Sequence, residues 1–130
     1  MKKKKKNRSF TAAPLSTQVD FCNIRGLHAN LSAVHQHLEA AQPTLLFLTE
    51  TQISCPVDTA YLVYPGYRLE HKFLRRAGVC MFVREDICCR RLHHLEARDL
   101  SVLWVRVDFG GLTRIYACLY RSHSGDTDTA

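Results

Sequence analysis

The segment that most constrains the fold of this chain is an apolar run of four residues, Leu45 to Leu48. It contains no polar residue in alternation, which is typical of a strand covered on both faces. A second short strand is predicted over Gln18 to Ile24, and a helical pattern lies between the two. A strand, a helix and a buried strand within about 35 residues indicate a right-handed βαβ unit with parallel strands.

The helix between these strands is predicted from apolar residues at spacings of three and four. They are Leu31, Val34, Leu38 and Ala41. We expect Asn30 to cap the helix, because a short polar side chain can accept hydrogen bonds from first-turn N–H groups. Pro43 is expected to end it, because proline has no N–H and its ring disrupts a helix.

The remaining strands follow a predicted loop over Cys55 to Pro65. Gly110 and Gly111 separate two alternating segments and indicate a tight hairpin. The fold class is therefore α/β with a mixed sheet, in which antiparallel strands follow one βαβ crossover. The predicted strands are Tyr67 to Phe73, Gly78 to Val83, Ile87 to Leu95, Ser101 to Phe109 and Leu112 to Tyr120.

The positive charge of the chain is concentrated at its start. The formal net charge is +6, and Lys2 to Lys6 with Arg8 supply six positive charges. The other 12 Lys and Arg equal the 12 Asp and Glu in number, so residues 9–130 are formally neutral. A chain of 130 residues fits one domain. We expect it at residues 17–123, between a disordered basic lead-in at 1–16 and a disordered tail at 124–130.

The cysteines and the apolar segments favour an intracellular protein, with nucleus or cytoplasm left open. Six cysteines are present without a C-x-x-C pair, and no apolar signal-peptide core follows the basic start. We expect free, mostly buried thiols in a reducing compartment. No run reaches the roughly 18 apolar residues of a membrane span, so no membrane partner is expected.

Two polar residues stand at the ends of the predicted parallel strands. Asn23 ends the first strand and Glu50 follows the second. The carboxyl ends of parallel strands lie on one edge of a sheet, where ligand sites form. A carboxylate and an amide carbonyl suit Mg2+, which takes one or two protein carboxylates and keeps several waters. Position alone favours a simpler interpretation, in which Glu50 is a solvated strand-end residue and Asn23 a turn former.

Five segments, in order, carry a resemblance to a known family. They are VDFCNIRGL (19–27), QPTLLFLTETQ (42–52), YPGYRL (64–69), AGVCMFVRED (77–86) and RIYACLYR (114–121). Together they resemble the start of the endonuclease/exonuclease/phosphatase superfamily. The resemblance covers about residues 18–123 and looks closest to the endonuclease domain of non-LTR (LINE-type) retrotransposons. Apurinic endonucleases and deoxyribonuclease I are more distantly similar.

The resemblance implies a fold, a reaction and three site residues. The family fold is a two-sheet α/β sandwich of the DNase I type, of which this chain would be an incomplete half. The family reaction is Mg2+-assisted attack of water on a phosphodiester, here with DNA as the substrate of the parent domain. By position, Glu50 would bind Mg2+ (or Mn2+), while Asn23 and Tyr120 would contact the phosphate.

The chain also departs from the family pattern. His123 stands where relatives often have asparagine, and Gln52 where many have Lys or Arg. The G-D-F-N word, and the S-D-H word that supplies the family's general base, do not occur. Hydrolysis needs a base to deprotonate water. We therefore expect an N-terminal fragment of a phosphodiesterase with little or no activity alone, and whether it is itself an enzyme stays open.

Two further expectations concern partners. The alternative function is a non-catalytic remnant, or a nucleic-acid-associating module that acts through its lysine tail. Half of a two-sheet sandwich should also leave an apolar sheet face uncovered, which promotes self-association. The expected core, some of which would then be exposed, comprises Leu46, Leu48, Val79, Met81, Leu103 and Val105.

Overall fold

The computed structural model describes residues 17–54 and 59–121. In these ranges the chain forms one α-helix, α1 (Leu27–Ala41), and two short 3-10 helices at Ala60–Leu62 and His93–Leu95. The strands are β1 (Val19–Asn23), β2 (Leu45–Thr49), β3 (Tyr67–Lys72), β4 (Val79–Arg84), β5 (Cys88–Arg91), β6 (Val102–Phe109) and β7 (Leu112–Leu119). The expected lead-in at 1–16 and tail at 124–130 lie outside the described residues.

The strands form two sheets. The first has the order β1-β2-β4-β3, with β1 and β2 parallel and the other pairs antiparallel. The second is antiparallel, with the order β5-β6-β7. Gly110 and Gly111 join β6 to β7 with φ of 62° and 80°, a left-handed conformation that glycine adopts without strain. The mixed sheet, the βαβ crossover and the glycine hairpin are confirmed.

Strand β2 lies at the centre because both of its faces are buried. Leu46 and Leu48 pack with Val34 and Leu38 of α1 in one apolar cluster. The other face of β2 points toward the second sheet. Its Leu45 and Phe47 belong to a second cluster, together with Met81, Val83, Leu103, Val105 and Val107. The run without polar alternation thus reflects a strand enclosed by a helix layer and a sheet layer.

The exposed apolar surface differs from the expected one. All six expected core residues are buried, because both sheets are present and pack face to face. Many of the exposed apolar side chains lie instead on two of the edge strands, β1 and β7. They include Val19, Phe21, Leu112, Ile115 and Leu119. Phe21 is 61% exposed although it pairs in register with buried Phe47, so the sheet face beside Phe47 continues uncovered at β1.

Two local predictions were wrong at element ends. Helix α1 begins at Leu27, and Asn30 lies inside it, where its Nδ2 donates to the carbonyls of Ile24 and Gly26 at 3.1 and 2.9 Å. The side chain therefore ties the helix to the preceding loop and does not cap it. The helix does end before Pro43, with Gln42 in the left-handed region.

The predicted strand from Ile87 to Leu95 ends earlier, at Arg91. The Arg91 guanidinium donates two hydrogen bonds of 2.8 Å to the Glu96 carboxylate, which also accepts from the Trp104 backbone N–H. This contact folds residues 92–96 back toward β6 as a 3-10 turn.

The thiols are only partly buried. Cys80 and Cys118 are buried as expected, whereas Cys22 and Cys88 are exposed. Among the described residues, no helix has both the length and the apolarity that a membrane span requires.

We expect Gly78→Ala to destabilise the fold strongly. Gly78 has φ +90°, and an added Cβ would lie 2.6 Å from Thr51 Oγ1 and 2.7 Å from the backbone nitrogen of Leu74. Overpacking and positive-φ strain together should lower the free energy of unfolding by about 2–4 kcal/mol. Urea unfolding followed by the fluorescence of Trp104, the single tryptophan, measures it.

The matched control is Gly110→Ala, because Gly110 also has positive φ (62°) but an added Cβ would meet nothing within 4 Å. It should cost about 1 kcal/mol, from backbone strain alone. Equal losses in the two variants would show that the contact with Thr51 carries no weight.

Candidate functional site

The loops after β1 and β2 are joined backbone to backbone. The N–H groups of Ile24, Gly26 and Leu27 donate to the carbonyls of Thr49, Glu50 and Thr51 at 2.8–2.9 Å. Arg25, Glu50 and Gln52 have φ between 48° and 58°, in the left-handed region. This conformation turns the chain sharply after each strand. The two loops therefore form one rigid rim at the carboxyl ends of the parallel strands.

A third segment holds this rim from the other side. Thr51 and Gln52 donate their N–H groups to the carbonyls of Gly78 and Ala77 at 3.2 and 3.0 Å. Gly78 in turn donates to the Ser101 hydroxyl, and the Ser101 carbonyl accepts from Tyr120 at 3.0 Å. A continuous set of hydrogen bonds, which includes the Ser101 hydroxyl, thus leads from Thr51 to Tyr120 at the end of β7.

The three residues predicted for the site meet at this rim. The Tyr120 hydroxyl donates to Glu50 Oε2. With its amide nitrogen facing the carboxylate, Asn23 donates to Glu50 Oε1 at 3.0 Å and to the Thr49 carbonyl at 3.2 Å. The side chain of Glu50 is 19% exposed. Three strands, β1, β2 and β7, therefore bring two neutral donors onto the two oxygens of one partly open carboxylate.

Arg25 is a fourth member that the sequence reasoning missed. Its Nε lies 3.8 Å from Glu50 Oε1, and its side chain is 79% exposed. The sequence feature that could have indicated Arg25 is its position between Asn23 and Gly26, in the same turn as a predicted site residue. Gln52, a departure from the family pattern, is exposed beside this turn. His123, the other departure, lies outside the described residues.

The donor set is compatible with a hard divalent cation. Across residues 17–54 and 59–121, no three or more His, Cys, Asp and Glu side chains are grouped so that they could hold a metal ion. The rim therefore offers one carboxylate, Glu50, and the amide oxygen that Asn23 presents when its amide turns over. Mg2+ tolerates such a set, because it is commonly held by one or two carboxylates and completes its shell with water and substrate oxygens.

Two buried thiols, Cys80 and Cys118, are poor nucleophiles. Burial raises the pKa of Cys118, two residues before Tyr120, to about 12, and its Sγ faces the Leu48 carbonyl at 3.8 Å. Burial also raises the pKa of Cys80 well above its usual value, and Cys118 adds to this shift. Both thiols stay protonated near neutral pH and cannot supply a thiolate.

Comparison with solved structures places the fold among known ones. An AP endonuclease from Leishmania major matches with a TM-score of 0.63 at 19% identity, over 82% of this chain and 40% of that chain. TDP2 from D. rerio, complexed with a single-strand DNA product, matches at 0.62 and 14%, over 86% and 48%. A mannosyl-6-phosphatase from Bacteroides thetaiotaomicron matches at 0.59 and 12%, over 85% and 54%.

These likenesses show the fold and no more. No protein-family model matches the sequence, and no curated protein matches it. The DNase I-like fold implied by the resemblance is confirmed by these structures. The chain spans only about half the length of each of them, from 40% to 54%. The roles of Asn23, Glu50 and Tyr120 stay predictions.

We expect Tyr120 and Glu50 to be energetically coupled. Tyr120→Phe removes one donor from a carboxylate that is mostly buried, and Glu50→Gln removes its charge. Because hydrogen bonds to charged groups are stronger than neutral ones, a double-mutant cycle should give a coupling of about 1–2 kcal/mol in urea unfolding.

Tyr116 provides the control, because it lies on β7, four residues before Tyr120, and its ring is tilted against that of Phe47 with 6.2 Å between the ring centroids. Coupling of Tyr116→Phe with Glu50→Gln should stay below about 0.5 kcal/mol. A Tyr120 coupling equally small would mean that the hydroxyl and the carboxylate do not interact in solution.

Proposed function

We propose that this chain is the N-terminal part of a Mg2+-dependent DNA phosphodiesterase of the retrotransposon endonuclease type. The observation that carries the proposal is the convergence of Asn23 and Tyr120 on the carboxylate of Glu50, from strands that are distant in sequence. Asparagine, glutamate and tyrosine are also the residue types that the family resemblance implies at these three positions. For a DNA-acting chain whose described cysteines are all free thiols, we propose an intracellular site of action, nuclear or cytoplasmic.

Each residue of the rim has a role in this proposal. Glu50 holds the cation, which when bound supplies positive charge that neutralises the phosphate. Asn23 and Tyr120 now donate to the Glu50 oxygens. Once a cation occupies those oxygens, the amide and the hydroxyl can donate to the phosphate oxygens instead. The rim loops keep both donors in place. The phosphate is therefore oriented without a large loss of conformational freedom in the Asn23 and Tyr120 side chains.

The structural neighbours support DNA as the substrate class. One is an AP endonuclease, and another is a protein solved with a single-strand DNA product. The mannosyl-6-phosphatase shares the fold and acts on a different phosphate compound. The fold is therefore compatible with phosphate chemistry in general, and the sequence resemblance to retrotransposon endonucleases is what narrows our proposal to DNA.

We propose that the chain alone has little or no turnover. The described histidines of α1 are engaged elsewhere, because His28 contacts Tyr61, His35 the Leu62 carbonyl and His37 Asp20. The S-D-H word that supplies the general base in the resembled family is absent. A phosphate held beside a cation without a base to activate water hydrolyses slowly.

The first test is metal binding at Glu50, with Mn2+ as the probe because its free ion is counted by electron paramagnetic resonance. We expect saturable binding of one Mn2+ ion and a loss of affinity of at least about tenfold in Glu50→Gln, which removes the only carboxylate of the rim among the described residues. Glu85→Gln is the control, because Glu85 is exposed at the opposite end of β4. Equal affinity in Glu50→Gln and the wild type would remove the metal role.

Incubation of supercoiled plasmid with the chain and Mg2+ tests turnover in the same preparation. We expect no nicking above background. Nicking that disappears in Glu50→Gln would refute the inactivity and retain the site.

The alternative function is association with nucleic acid through the lysine tail, and an experiment can distinguish it from binding at the rim. It requires salt-sensitive DNA binding that is lost on deletion of residues 1–8 and unaffected by Glu50→Gln. The charge distribution favours it as a second candidate, since six positive charges lie within those eight residues and the remainder is formally neutral.

We also propose that the chain associates with a second copy of itself through β1 and β7. Each is an edge strand of its sheet, and they carry exposed Phe21, Ile115 and Leu119. Exposed apolar residues on free strand edges favour pairing with another chain. In sedimentation velocity, we expect the wild type to form dimers or larger species at concentrations where Phe21→Ser with Leu119→Ser is mainly monomeric.

Tyr61→Ser with Val63→Ser is the control for this experiment. These side chains are also exposed and apolar, but they lie outside β1 and β7. A wild-type chain that sediments as a monomer throughout, or a control pair that dissociates it equally, would exclude association through β1 and β7.

A further inference from the structure

The guanidinium of Arg25 shares the carboxylate that the proposed cation requires. Arg25 Nε lies 3.8 Å from Glu50 Oε1, the same oxygen that accepts from Asn23. Its contact is therefore made at the rim itself and not at a distant surface point. Arginine side chains are positively charged, so a cation at Glu50 would meet a like charge here.

The backbone of Arg25 is held in place by its neighbours, whereas its side chain is largely exposed to solvent. Arg25 has φ +49° and lies between Ile24 and Gly26, whose N–H groups donate to the carbonyls of Thr49 and Glu50. These bonds hold the Cα of Arg25 next to the rim. The side chain is 79% exposed, so the guanidinium can leave Glu50 without a rearrangement of the loop.

We infer that Arg25 competes with the divalent cation for Glu50 and weakens the affinity of the rim for that cation. The inference rests on the proposed metal role of Glu50. A cation that binds Oε1 must displace the guanidinium and then stay close to its positive charge, and like charges at this distance repel. A Glu50–Arg25 pair is formally neutral, so the rim attracts a cation less than a lone carboxylate would.

The size of the effect is limited by solvent. Exposed ion pairs contribute little, because water screens them and both side chains lose freedom. The repulsion between the doubly charged metal ion and the Arg25 guanidinium adds to the small contribution of the ion pair. We expect removal of the Arg25 charge to tighten Mn2+ binding by about three- to tenfold at low ionic strength.

The experiment measures Mn2+ affinity of the full chain by electron paramagnetic resonance, in the wild type, Arg25→Gln and Arg25→Lys. Arg25→Gln should bind about three- to tenfold more tightly, whereas Arg25→Lys, which keeps the charge, should stay within about twofold of the wild type. The gap between Arg25→Gln and the wild type should shrink at 0.5 M NaCl, because salt screens exposed charges.

Arg90→Gln separates a local from a global charge effect. Arg90 is exposed on β5, at the edge of the second sheet opposite to β7, and its loss changes the net charge equally. It should leave the affinity unchanged. If Arg25→Gln and Arg90→Gln tighten binding equally, or if Arg25→Gln matches the wild type, the inference is wrong.

The two proposals fail in different ways. If Glu50→Gln lowers the affinity but Arg25→Gln does not raise it, the metal role of Glu50 stands and the competition by Arg25 is refuted. If Glu50→Gln leaves Mn2+ affinity unchanged, the metal role fails, and the Arg25 inference is refuted with it.

Discussion

Strand β2 is buried on both faces, and this burial holds the register of the first sheet. All five residues from Leu45 to Thr49 are buried, with α1 on one side and the second sheet on the other. A strand enclosed in this way cannot slip by one residue without moving its apolar side chains to the wrong layer. Its register therefore fixes where the chain leaves the sheet, and Glu50 is the first residue beyond that point.

Two residues of the site, Asn23 and Glu50, could be predicted from the sequence pattern around β2. Asn23 and Glu50 end two neighbouring parallel strands, so their proximity needs only the βαβ pattern. Tyr120 came from the family resemblance alone, because its approach depends on how β7 packs across β2, 70 residues away in sequence. Arg25 was missed for a different reason, since an arginine in a turn has no periodicity that separates it from a solvated residue.

The element ends that the sequence misplaced share a physical cause. Asn30 resembles a helix cap, but its amide binds the carbonyls of Ile24 and Gly26 and lets α1 start earlier. The segment after Arg91 resembles a strand, but the contact of Arg91 with Glu96 turns it away. Side-chain contacts to partners several residues distant override local propensity in both cases. The exposed apolar surface was also predicted at the wrong place. The sequence did not show that both sheets form within this chain and cover the residues that were expected to be exposed.

The charge of the rim links its geometry to the proposed chemistry. Glu50 contributes one negative charge and Arg25 one positive charge, while Asn23 and Tyr120 are neutral donors. A divalent cation at this rim is therefore not neutralised by the protein alone. A phosphodiester carries the negative charge that the rim lacks, so the proposed cation and the phosphate should stabilise each other there. In this proposal the exposed guanidinium of Arg25 would also have an anion nearby, which would offset its repulsion of the cation.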